Sequence, residues 1–111
     1  PIDVHLAEFD VVVPDFVVLL PANRIVTPTK IKGVPDLLIE ILSPSTREYD
    51  RTLKRKRYEA AGVPEFWLVD PENHTVEQLI LRDGKYTVRD HDEVVQLAIL
   101  DQVTVDFSKV W

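Results

Sequence analysis

A mixed α/β or α+β fold is what this sequence predicts, on three observations. Short β-branched and apolar runs recur through the first half of the chain. One cationic helical stretch lies between two of them, and the chain after Pro71 has the texture of a β-meander. The coarse order is β-β-β-α-β with a β-rich tail. At 111 residues, with 45% hydrophobic and 29% charged residues, the chain is expected to form one globular domain over 1–111 with a modest core.

Ile2 to Phe9 alternates and reads as an edge strand. Val11 to Leu20 (VVVPDFVVLL) is strongly β-branched, and Pro14-Asp15 inside it requires an edge, a bulge or a bend. Pro21 to Pro35, with Asn23, Pro28 and Gly33, reads mostly as loop. In the strand Leu37 to Leu42, alternation places Leu38, Glu40 and Leu42 on one face and Leu37, Ile39 and Ile41 on the other. A Ser-Pro-Ser-Thr corner follows, then a helix capped by Asp50 and stopped at Gly62. Glu65 to Val69 is a short aromatic strand. Asp83-Gly84 signals a hairpin between Thr75–Arg82 and Lys85–Arg89, and Glu93–Leu100 and Val103–Val110 are further extended segments.

Composition excludes several classes. A net charge of −6 argues against a general basic surface for nucleic acid. Positive charge is instead local, in Arg51, Lys54, Arg55, Lys56 and Arg57, where a solvated helix face accounts for most of it. No apolar run approaches the ~20 residues of a membrane span, and no secretory signal pattern is present. The absence of cysteine excludes disulfides and thiolate metal sites and fits a cytoplasmic protein. The chain has no methionine and begins Pro1-Ile2-Asp3, so it is expected to be a processed or cloned fragment, or one lobe of a longer protein.

The chemistry is expected around Glu40, a carboxylate inside an apolar strand, which requires a cation, a metal or a hydrogen-bond network. A regular helix gathers Leu53, Tyr58, Ala60 and Ala61 on its apolar side, and Lys54 and Arg57 fall within that stripe. Lys54 therefore either snorkels to the rim or points toward Glu40. Asp15 with Glu40 on adjacent strands either holds a divalent metal through oxygen ligands, with the carboxylates about 3–6 Å apart, or the two act separately, one as a capping or turn residue and the other paired with an arginine. Asp36 is a rival to Asp15 but more naturally shapes its own turn. Ser43, Asp50 and Tyr58 read as a corner residue, a helix cap and a core residue with its hydroxyl at the rim. Trp67 reads as packing, and His5, His74 and His91 share no metal-ligand spacing.

These residues carry a family resemblance. Pro14-Asp15, Gly33 to Leu37, Glu40 to Thr46, Asp50, Lys54, Tyr58 and Gly62 to Pro71 together resemble the Uma-type restriction-endonuclease family of the PD-(D/E)XK nuclease superfamily, over roughly residues 11 to 90. The resemblance implies a restriction-endonuclease-like αβββαβ core. It implies Asp15 and Glu40 as metal ligands with the Ile41 carbonyl as a third, Mg²⁺ or Mn²⁺ as cofactor, and DNA as substrate. It also implies that Lys54 serves as the catalytic amine, because Leu42 occupies the strand position of the superfamily lysine. Family members extend further at the N-terminus, so a leading helical region is expected to be missing. An uncovered apolar sheet face would then favour a homodimer. The alternative is a non-catalytic binding or assembly module that keeps the nuclease fold.

Overall fold

The computed structural model describes residues 2–7, 10–23, 25–27, 30–45 and 50–111. The Phe9 end of the first expected strand, Pro28 of the loop, Thr46 of the corner and the side chain of Asp50 lie outside that description.

Pro14 divides the β-branched run, since its ring fixes φ and removes a ladder donor. The chain changes sheets at this point. β2 (Asp10–Val12) pairs antiparallel with β1 (Val4–Ala7), whereas β3 (Phe16–Val18) pairs with β5 (Leu37–Ile41). A two-residue strand, β4 (Ile31–Lys32), joins β1 in parallel, so β1 is the middle of a three-stranded sheet rather than an edge. Two residues are too few for alternation to register in a loop-rich stretch. Gly33 follows at φ +140°, where a Cβ would lie 2.7 Å from Ile25 Cγ2.

The main sheet has five strands in the order β3-β5-β6-β7-β8. β6 (Glu65–Asp70) runs parallel to β5, and β7 (Thr75–Arg82) and β8 (Lys85–His91) continue antiparallel. Asp83 and Gly84 close the β7–β8 hairpin with φ of 53° and 80°, the two positive values a type I′ turn requires. β9 (Val94–Gln96) and β10 (Thr104–Asp106) form a separate antiparallel pair.

Parallel strands need a crossover, and here a π-helical turn at Asp50–Lys54 leads into α1 (Arg55–Ala61). Gly62, at φ 82°, ends the helix, with the Val63 N–H donating back to the Tyr58 carbonyl at 3.1 Å. Tyr58 is fully buried and Ala61 half-buried, but Leu53 is 56% exposed and Ala60 is exposed. The apolar face expected of a regular helix therefore does not hold. A π turn closes i→i+5 bonds, so a phase read at 3.6 residues per turn slips across residue 54.

The alternation in β5 does hold. Leu38 and Leu42 pack with Tyr58, Phe66, Leu68 and Leu79, against the three-stranded sheet and α1. Leu37 and Ile39 pack on the opposite face with Trp67, Val69, Val76, Val95 and Phe107. Both faces of the main sheet thus carry a packed layer, although Phe16 and Ile41 remain exposed beside an apolar groove on the second face, and the expected homodimer is not supported.

Tyr86 joins β8 to the end of α1. Its hydroxyl donates to the Val63 carbonyl at 2.8 Å, and its backbone N–H donates to Glu59 Oε2 at 2.8 Å. Burial, reinforced by the charge of Glu59, holds the phenol far above its ordinary value. The folded state therefore favours the neutral form. That stability is fully present below pH ~10, where the unfolded phenol titrates, and is lost as the pH rises beyond it. Tyr86→Phe is expected to cost about 1 kcal/mol at neutral pH for the lost hydrogen bond. It should also flatten the alkaline limb of a urea-midpoint-against-pH profile.

Candidate active site

β5 delivers Glu40 to the interior one residue before the strand ends, and its side chain is 4% exposed. The helical crossover lies over the same sheet face. Lys54 and Tyr58, one turn apart, both turn inward onto this carboxylate. Lys54 Nζ donates to Glu40 Oε2 at 2.9 Å, and the Tyr58 hydroxyl donates to Oε1 at 2.9 Å. Tyr58 is held edge-on by Phe66, their ring centroids 4.8 Å apart. Its hydroxyl thus lies in the interior on Glu40 rather than at the rim. Burial raises the Glu40 carboxyl above its ordinary value; the Lys54 ammonium and Tyr58 oppose that rise, and the Asp15 charge adds to it.

Asp15 approaches from the neighbouring strand. The antiparallel register pairs Phe16 with Ile39, so the preceding residue, Asp15, lies across from Glu40. Its Oδ2 accepts the Ile41 N–H at 2.7 Å, which fastens the end of β3 to the end of β5. Asp15 is exposed while Glu40 is buried, so the pair opens to solvent on the Asp15 side. Leu42, on the face where the superfamily lysine would stand, is buried in the core and fills that place with hydrocarbon.

The rivals are placed elsewhere. Asp36 Oδ2 accepts the Leu20 N–H at 2.8 Å and an Asn23 side-chain N–H at 2.9 Å, so it shapes the loop. Arg57 is committed to β2, donating through Nε to Asp10 at 2.6 Å and through Nη2 to the Val11 carbonyl at 3.0 Å. Ser43 Oγ lies 3.2 Å from Ser45 Oγ in the corner. His74 stacks on Trp111 with ring centroids 5.1 Å apart.

Sequence reasoning missed Glu65. This carboxylate is fully buried, with Oε2 accepting from Trp67 Nε1 at 2.6 Å and Gln78 Nε2 at 2.8 Å. Its Oε1 accepts the Ala98 and Ile99 N–H groups at 2.9 and 3.0 Å. The signal was available. Alternation in EFWLV puts Glu65 on the face of Trp67 and Val69, as it puts Glu40 with Leu38. The network lies on the sheet face opposite Glu40 and ties the β9–β10 connection to β6.

A parallel β-α-β crossover extended by antiparallel strands on both sides is consistent with the restriction-endonuclease-like class of fold. The chain belongs to the Uma2 family, described as "Putative restriction endonuclease", whose family model matches residues 2–108. It is also similar to the crystal structure of "a putative nuclease belonging to DUF820 from Anabaena variabilis ATCC 29413", with a TM-score of 0.64 at 22% identity. That match covers 90% of this chain and 59% of the solved one, so the chain spans less than two thirds of its structural relative. No functionally curated protein matches the chain.

The family implies a divalent metal. Among the described residues, no group of three or more His, Cys, Asp and Glu side chains is placed to hold one. The acidic oxygens at the end of β5 are instead the two carboxylates Asp15 and Glu40, both hard ligands. Each Glu40 oxygen accepts one hydrogen bond, which leaves further lone pairs on both. Exposure of Asp15 leaves room for waters, which Mg²⁺ characteristically keeps. The set therefore fits a hard divalent cation. No helix among the described residues is long and apolar enough to cross a membrane.

Proposed function

We propose that this chain is a metal-dependent nuclease that hydrolyses phosphodiester bonds in DNA. The observation that carries the reading is the Lys54–Glu40 ion pair, 2.9 Å long and almost buried, beside Asp15 at the strand ends. Asp15, Glu40 and the Ile41 carbonyl would hold Mg²⁺ or Mn²⁺, which when bound supplies Lewis-acid polarisation of a phosphoryl oxygen. Glu40 anchors the site, and its buried carboxylate fixes the Lys54 ammonium. Lys54 positions the attacking water and offsets the negative charge that develops on the phosphoryl oxygens. Tyr58 keeps the second Glu40 oxygen in place, so that the carboxylate does not rotate away from the strand end.

A calorimetric titration with Mn²⁺ tests the ligand assignment separately from turnover. Wild-type protein is expected to bind one ion, and Asp15→Ala and Glu40→Ala are each expected to weaken that binding at least about tenfold, the loss of one charged ligand. Indifference to both substitutions would favour the non-catalytic module instead.

A further inference from the structure

The cations of the helical segment sort into two groups. Lys54 is paired with Glu40, Arg51 with Glu77 on β7, and Arg57 with Asp10 on β2. Each of these pairs joins the crossover to a sheet. Arg55 and Lys56 form no ion pair among the described residues, and neither does Lys85 at the start of β8. These three line one cavity of about 430 Å³ between the helical segment and the β7–β8 hairpin, together with Arg51 and Thr52. Glu59 is the cavity's acidic residue, and its Oε2 is engaged by the Tyr86 N–H at 2.8 Å.

With Arg51 held by Glu77, three cations without an ion pair among the described residues stand against one carboxylate, Glu59, and make this cavity locally positive on a chain whose net charge is −6. Overall charge would repel a polyanion, so binding one requires a local cleft of this kind. We propose that Arg55, Lys56 and Lys85 form a phosphate-binding cleft that holds the sugar-phosphate backbone of DNA. This rests on the nuclease reading for the identity of the polyanion. The helical segment would then serve two functions from two sides. Lys54 faces inward to Glu40, while the next two residues grip the strand outside. Contacts of this sort position a substrate and carry no sequence information.

The test is fluorescence anisotropy of a labelled 20-base-pair duplex in EDTA, where cleavage plays no part. Wild-type protein is expected to bind with an affinity that falls steeply with salt. Arg55→Ala/Lys56→Ala/Lys85→Ala should weaken binding at least about tenfold and reduce the slope of log K against log[salt] by about 2–3, roughly one phosphate per cation removed. Lys32→Ala/Arg89→Ala/Lys109→Ala, which removes the same charge away from the cleft, should leave both quantities near wild type. Equal losses in the two triple variants, or unchanged binding in the first, would overturn the cleft. The nuclease reading fails separately. If the duplex binds through these three residues but is never cut with metal present, the cleft stands and the catalytic assignment falls.

Discussion

Lys54→Ala is expected to lower DNA cleavage by about 10²–10³-fold, the usual loss when one charge-stabilising group is removed from a polar site. The 2.9 Å contact with Glu40 means that this substitution also strips a buried carboxylate of its cation. The comparison therefore belongs at saturating Mg²⁺, where changes in metal affinity drop out of the rate. Lys54→Arg keeps a cation over Glu40 with a different fork of donors and should recover part of the loss. An unchanged rate in Lys54→Ala would remove the amine from the mechanism. Arg57 does not inherit the role, since Asp10 and the Val11 carbonyl already hold its guanidinium.

The largest effect on stability is expected at Glu65, on the other face of the sheet. Glu65→Leu would leave the Trp67 indole N–H and the Ala98 and Ile99 N–H groups without their acceptor, and would take one of two acceptors from the Gln78 amide. Leaving several buried donors without an acceptor costs about 3–5 kcal/mol in total. That is a large fraction of the roughly 5–15 kcal/mol available to a domain. The expected readout is a lower urea midpoint with an unchanged slope. Glu65→Gln separates charge from shape. Its oxygen can still serve the two backbone N–H groups, but its NH₂ then faces the donors of Trp67 and Gln78, so an intermediate loss is expected. A Glu65→Leu protein as stable as wild type would show that the network contributes nothing net.

Period-2 alternation carried most of the legible structure. It sorted Leu38 and Leu42 from Leu37 and Ile39, and it exposed Glu40 as a carboxylate in need of a partner. Asp83-Gly84 and Gly62 were legible because positive φ leaves few residue choices. Three features were not legible, each for a physical reason. β4 is too short to show a period. The π turn at Asp50–Lys54 shifts helix phase, so Leu53 is turned outward although its composition suggests burial. The partners of Arg51 and Arg57, Glu77 and Asp10, are fixed by tertiary contacts between residues 26 and 47 positions apart, which no local pattern encodes. Glu65 is a different case: the alternation that identified Glu40 applied equally there, and the tail strands that supply its N–H donors were the part of the chain least defined by pattern.

Supercoiled plasmid incubated with the protein and Mg²⁺ or Mn²⁺, beside an EDTA control and a Glu40→Ala protein prepared identically, tests the central claim most directly. The account predicts nicked or linear products with wild type and metal only, and a loss of at least about a hundredfold in Glu40→Ala, since that residue both binds the ion and holds Lys54. Cleavage that persists in Glu40→Ala, or in EDTA, would contradict it.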